Sequence, residues 1–265
     1  MQENQNVPRI AMLAQAKAHG EAITAISAYD ALTASLFDRA GIDIMLVGNI
    51  IGEEIYGLRS RVEVELGALE RATHAVSLAA RHALVVAGLP FGGYETGQTQ
   101  ALKSAIALMK AGADAITFEG GRSVADQVDA CSSHGIPVIG HIGFTARSMA
   151  VPAQNINTRE DAGEELVADA AALEEAGASA LILDLVPSHT AERITTIVDI
   201  PTIGYGSGPK TSGQYMRWTD VAGISNRNLP YAPAFGRVGE ELQASVQSYV
   251  DAVKSGQFPT AEHTA

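Results

Sequence analysis

Three times along the chain a helical pattern runs into the same joint. "SLFDRAGIDI", "ALKSAIALMKAGADA" and "EELVADAAALEEAGASA" carry Gly41, Gly112 and Gly177 just past the helical stretch, and each passes at once into an apolar run. Glycine at that place supplies left-handed backbone for the helix end. A short, continuous apolar run bounded by turn signals reads as a fully buried strand. A chain built by repeating helix, glycine and buried strand is constrained to a parallel sheet covered by helices. The strand candidates are 22–27, 43–48, 83–88, 115–120, 136–141, 180–185, 200–206 and, the least apolar, "VAGIS" at 221–225. Eight such units, in a chain of 265 residues, favour a closed (β/α)8 TIM barrel of about 250 residues over an open doubly wound sheet. The opening "RIAMLAQAKAHG" reads as an amphipathic helix that caps the barrel bottom. "EELQASVQSYVDAVKSG" reads as a final helix and "QFPTAEHTA" as a loose tail. No linker interrupts the pattern, so residues 1–265 are expected to form one domain.

The 46% hydrophobic content can fill such a core, and a formal charge of −12 argues against nucleic acid and anionic membrane surfaces as partners. One cysteine, Cys131, precludes an intramolecular disulfide and suits the reducing cytoplasm. The N-terminal stretch lacks a signal-peptide pattern, and no apolar run approaches the ~18 residues of a membrane span. A small-molecule substrate is the expected partner.

In a barrel of this kind chemistry belongs to the C-terminal strand ends and the loops after them. That singles out Tyr29, Asp30, Asn49, Gly88, Glu119, His141, Asp184 and Ser207. Glu119, followed by two glycines, can approach a metal or ligand without crowding. His141 can polarise an oxygen or act in acid–base chemistry. Asp184 ends an apolar strand, where a carboxylate is costly unless solvated or paired, and so is a candidate general base. Asp30 reads as an N-cap. Cys131 falls inside a helical pattern and reads as structural. "GYGSGPK" has neither dinucleotide-binding nor Walker spacing and reads as a tight turn. The histidines show no HExxH spacing.

The blocks "AISAYDALTASLFDRAGIDIMLVGNIIG", "GLPFGGY", "AGADAITFEGG", "IPVIGHIGFTARS", "LEEAGASALILDLVPSHTAERITTIVDIPTIGYGSG" and "DVAGIS", in this order, resemble the ketopantoate hydroxymethyltransferase family. More broadly they resemble the phosphoenolpyruvate mutase and isocitrate lyase barrels. The resemblance implies a (β/α)8 barrel in a homo-oligomer, a decamer of two pentameric rings. It also implies a magnesium ion that holds a 2-oxo acid through its keto and carboxylate oxygens. A carboxylate takes the α-proton, and the enolate attacks a one-carbon unit from methylenetetrahydrofolate. Position by position, the family's metal-ligand Glu is matched by Glu119, its His by His141, and its catalytic Glu by Asp184, one methylene shorter. Four positions depart from the pattern. Asn49 stands where the family has a metal-ligand Asp, and Ile50 where a Ser helps hold the substrate carboxylate. Gly88 stands where a second Asp is linked to the metal, and Thr117 where a Lys lies near the substrate. "LPYAPAFGRVG" lacks the basic residues usual there.

Two carboxylates and a cation are thus missing from the implied pocket, and an apolar side chain has entered it. Magnesium at Glu119 and Asn49 is therefore expected to be weak or absent, since the ion sheds its water reluctantly. The leading expectation is aldol-type chemistry on a 2-oxo acid or related carbonyl compound, with Asp184 as base, His141 as polarising donor, and Asn49, Ile50, Thr117, Tyr29 and Ser207 around the substrate. Methylenetetrahydrofolate serves as co-substrate if the parent reaction is kept. The alternatives are a metal-free enzyme using Asp184 and His141 on a larger, less polar substrate, and a non-catalytic homologue.

Overall fold

In a computed structural model the described residues are 9–145, 162–225 and 227–264. They fall into two compact units, Met1–Tyr215 and Met216–Ala265. Eight parallel strands close a barrel in sequential order: β1 (Ile23–Ser27), β2 (Ile44–Val47), β3 (Leu84–Gly88), β4 (Ala115–Glu119), β5 (Val138–Gly143), β6 (Ala180–Asp184), β7 (Thr202–Tyr205) and β8 (Gly213–Met216). The helices among the described residues of the first unit are α1 (Ala11–His19), α2 (Ala31–Ala40), the short α3 (Ile51–Glu54), α4 (Leu66–Ala79), α5 (Gln98–Lys110), α6 (Ala125–Ser132), α7 (Ala162–Glu175) and α8 (Ser188–Ile197).

The three joints read from the sequence are helix ends of one kind. Gly41, Gly112 and Gly177 have φ of 85°, 106° and 91°, where a Cβ would be strained. Asp30 caps α2 as expected, its Oδ1 accepting from Thr33 N at 2.9 Å. The strands β2, β3 and β6 are buried throughout, which explains why they read as unbroken apolar runs.

Two expectations need correction. The eighth strand is not "VAGIS" but "GQYM", and Val221 instead ends the four-residue helix α9 (Trp218–Val221). β8 escapes a reading based on apolar runs because its alternate residue Gln214 is exposed and its first is a glycine. No helix separates β7 from β8, so the helical punctuation that announced the other strands is missing. Helix α1 also lacks the clean apolar stripe expected of it, with Leu13 its buried residue. It is tied to the barrel by Lys17, whose Nζ donates to Val198 O at 2.7 Å and Ile200 O at 3.0 Å. It lines a cleft with Ile23, Asp43 and Leu84, at the N-terminal ends of β1 to β3, as a bottom cap should.

In the second unit α9 is followed by α10 (Val238–Lys254), none of whose residues is buried. The expected loose tail forms a 3₁₀ turn at Ala261–His263, and Phe258 meets Tyr249 edge-on with ring centroids 5.9 Å apart. No described helix is long and apolar enough to cross a membrane.

Candidate active site

The inside of the barrel sets the position of every candidate group. Ile44, Val86, Ile139, Ile182, Ile203 and Tyr215 line one apolar layer of the interior. Side chains alternate along a strand, so the residues two further on point to the same side, one layer nearer the C-terminal mouth. These are Gly88 on β3, His141 on β5, Asp184 on β6 and Tyr205 on β7. Register adds β4: Thr117 pairs with Gly88, and Glu119 pairs with His141. Strand-end placement and the two-residue period thus bring Thr117, Glu119, His141 and Asp184 to one end.

Contacts connect this set. His141 Nε2 lies 3.3 Å from Asp184 Oδ2. Asp184 Oδ1 is buried and makes no hydrogen bond among the described residues. The backbone holds this carboxylate firmly: Asp184 O accepts from Phe144 N at 2.8 Å, and Leu185 N donates to Tyr205 O at 2.8 Å. Leu185 adopts φ 51°, left-handed backbone in a non-glycine residue, a conformation that costs on the order of 1 kcal/mol and concentrates at functional sites. Burial disfavours the charged imidazole of His141. The hydrogen bond to Asp184 and the charges of Asp184 and Glu119 outweigh it, against opposition from Arg61, and the His141 pKa rises above the ordinary histidine value.

Asn49, just past β2, is 8% exposed. Its Nδ2 donates to Leu89 O at 3.3 Å and lies 3.5 Å from Glu119 Oε1, while Oδ1 is buried without a partner. The Leu89 carbonyl fixes which end of the amide faces β3 and β4. Thr117 is 5% exposed and its Oγ1 is likewise buried without a partner. Ile50 is 6% exposed and immediately precedes α3. Tyr29, just past β1, donates its hydroxyl to Glu54 Oε2 at 3.4 Å. Ser207 does not present its hydroxyl to this space. Its Oγ donates to Leu183 O at 2.7 Å and accepts from Val186 N at 2.9 Å, clasping β6 to the turn after β7. Cys131 is structural, buried on α6, and burial pushes its thiol up to about 11.

Sequence reasoning missed Arg61. It opens a 3₁₀ turn at Arg61–Glu63, and its Nε donates to Glu53 Oε1 at 3.0 Å. The signal that could have found it is the capping box Ser60-x-x-Glu63, which marks a fixed turn in the stretch between β2 and α4.

Fewer acidic oxygen donors surround Glu119 than the resemblance implies, since Asn49 and Gly88 stand at two of its carboxylate positions. Among the described residues no group of three or more His, Cys, Asp or Glu is placed to hold a metal. Asn49 turns an amide N–H toward Glu119, and Gly88 brings no side chain. A hard cation takes several oxygen ligands; the carboxylates at this end are Glu119 and Asp184, the latter facing His141, and Asn49 adds one neutral amide oxygen.

A sequence profile of the family described as Ketopantoate hydroxymethyltransferase matches residues 8–261. The 3-methyl-2-oxobutanoate hydroxymethyltransferase of Thermobifida fusca (strain YX) is 43% identical over 255 residues, covering 95% of this chain and 91% of that protein. The enzyme of the same name from Saccharopolyspora erythraea is 42% identical, covering 95% and 87%. Among solved structures, 2,3-dimethylmalate lyase, a member of the PEP mutase/isocitrate lyase superfamily, aligns with a TM-score of 0.62 at 16% identity, covering 97% of this chain and 92% of that one. Phosphonopyruvate hydrolase in complex with oxalate and Mg++ aligns with a TM-score of 0.65 at 13% identity, covering 97% and 93%. At those identities the structural likeness speaks for the barrel alone.

Proposed function

The chain belongs to the ketopantoate hydroxymethyltransferase family, and from that premise we propose that it is a transferase of aldol type in which Asp184 deprotonates a 2-oxo acid next to its keto group without a tightly held metal. The observation that carries this reading is the asymmetry of Asp184. One oxygen faces His141 Nε2 at 3.3 Å, and the other is buried and uncommitted. An uncommitted carboxylate oxygen, fixed by its partner in a water-poor pocket, is the arrangement a proton abstraction needs. The proton leaves the α-carbon for Oδ1, and the resulting enolate carbon attacks a one-carbon electrophile at the aldehyde level. Free formaldehyde supplies that carbon, or formaldehyde released together with tetrahydrofolate when water adds to methylenetetrahydrofolate, and the proton held on Oδ1 passes to the alkoxide that the attack forms. His141, biased toward its protonated form, keeps Oδ2 in place and offsets negative charge building up beside it. Thr117 Oγ1 and Asn49 Oδ1, both buried and unpartnered, are the polar groups left to meet the substrate. Ile50 and Gly88 shape the rest of the wall.

The test is the first half-reaction. In D2O, 3-methyl-2-oxobutanoate should exchange its α-proton in the presence of the enzyme, as followed by proton NMR, with little dependence on added magnesium. Asp184→Asn keeps the shape and cannot take a proton, and exchange should fall by about 10²–10⁴-fold, the range of a lost general base. Exchange that survives in Asp184→Asn, or that appears only with magnesium, would refute this assignment.

A further inference from the structure

Arg61 is held with unusual firmness for a loop arginine. Ser60 N donates to Glu63 Oε1 at 2.9 Å and Val62 N to Ser60 Oγ at 3.4 Å, which locks the turn that carries it. Its side chain is only 12% exposed, and Nε is engaged by Glu53 at 3.0 Å. Nη1 and Nη2 make no hydrogen bond among the described residues. A guanidinium carries five N–H donors in a planar fork, and Nη1 and Nη2 are not among the buried unpartnered atoms, so this edge of the fork is open to a ligand. An outer edge left unmatched in this way suits the two oxygens of a carboxylate.

The loop that carries Arg61 belongs to the candidate site. Glu53 and Glu54 lie on α3, which begins two residues after Asn49. Glu54 receives the hydroxyl of Tyr29 from the end of β1. The charge of Arg61 is felt at His141 on β5. Among the described charged groups of this region Glu53, Glu54, Glu119 and Asp184 are acidic, and the cationic His141 is engaged by Asp184, so an anionic substrate entering here calls for a further cation.

We infer that Arg61 is the carboxylate-binding residue of this pocket: Glu53 orients the guanidinium through Nε, and the edge formed by Nη1 and Nη2 receives the carboxylate of the substrate. The inference rests on the reading of the site as one for 2-oxo acids, and it adds the group that distinguishes an acid from a neutral carbonyl compound.

Calorimetric titration with 3-methyl-2-oxobutanoate and with its uncharged amide tests it. Arg61→Gln should weaken binding of the acid about tenfold or more, the scale of a lost charge-assisted contact, while the amide is held as before. Arg61→Lys, which keeps the charge and loses the fork, should fall between. Glu53→Gln should retain most of the affinity for the acid. Unchanged affinity of Arg61→Gln for the acid overturns the inference, as does failure of the unaltered protein to bind the acid. Equal losses for acid and amide, matched by Glu53→Gln, overturn it too, because they mark a structural ion pair. The α-proton exchange of the unaltered protein separates the two readings. Exchange without dependence of affinity on Arg61 removes this inference alone. Binding that depends on Arg61 without exchange removes the deprotonation and leaves the carboxylate site.

Discussion

Asp184 holds His141 in a state that burial alone would not favour. Burial by itself would discharge the imidazole, and the neighbouring carboxylates reverse that preference. Asp184→Asn should therefore lower the His141 pKa, and a titration of its ring carbons by NMR should place it below the unaltered protein's value. The sign of the stability effect follows. A group whose pKa is higher in the folded state stabilises the fold fully below its unfolded value, about 6.5 for histidine, and that contribution is lost as pH rises through the folded value. Urea midpoints of the unaltered protein should carry this decline as pH rises above about 6.5, and Asp184→Asn should not. A rise in the ring's pKa in that variant would show that Asp184 is not what holds the proton. Asn49 and Gly88 make a second case at this scale. A Cβ added at Gly88 would meet Gly48 Cα and Thr117 Cγ2 at 3.5 Å, ordinary contact, so a side chain fits there. The pair Asn49→Asp and Gly88→Asp should give a protein that binds magnesium measurably more tightly in calorimetry. No gain would mean that the two positions do not limit metal binding. Glu119 and Asp184 were legible because each closes a strand, and His141 because it falls where the apolar run of β5 breaks, two residues before the strand ends at Gly143. Ser207 stood at a similar place and misled, since a hydroxyl at a strand end can bind backbone as readily as a ligand. The turn that carries Arg61 was readable from the Ser60 and Glu63 capping box, but its nearness to the site was not, because how a loop folds back is encoded by no periodicity.

Among the elements, β8 shows where reading by pattern fails and what replaces the pattern. A Cβ on Gly213 would lie 2.3 Å from Ile23 O and 2.6 Å from Ile23 Cβ, so the eighth strand meets the first only because this residue has no side chain. Ile23 N donates to Ser212 O at 3.1 Å across the same seam. The strand is thus specified by close approach rather than by apolar content, and a search for apolar runs passes over it. Gly213→Ala should destabilise the protein by about 1–3 kcal/mol, the usual cost of overpacking, read as a lower urea midpoint. A neutral outcome would mean that the seam can widen freely. The other seven strands were readable for the opposite reason. Their helices announce them, and burial on both faces keeps their runs apolar.

At the scale of the whole molecule, the fold class was plain from the repeating joints, whereas the extent of the cooperative unit was not, because contact density is a property of three dimensions. Two singular residues make it measurable. Cys131 lies in the unit Met1–Tyr215, and Trp218, the one tryptophan of the chain, lies in the unit Met216–Ala265. We expect residues 1–265 to unfold as one body, so tryptophan fluorescence and thiol accessibility should give coincident urea transitions. A fluorescence transition at distinctly lower urea would instead divide the chain. The buried thiol also acts as a clock for this barrel. Thiolate is the species that reacts, and the folded chain withholds it twice, by burying Cys131 and by pushing its pKa to about 11. The rate at which a chromogenic disulfide colours the folded protein therefore counts excursions that expose α6, with no label added and no second cysteine to confuse the record.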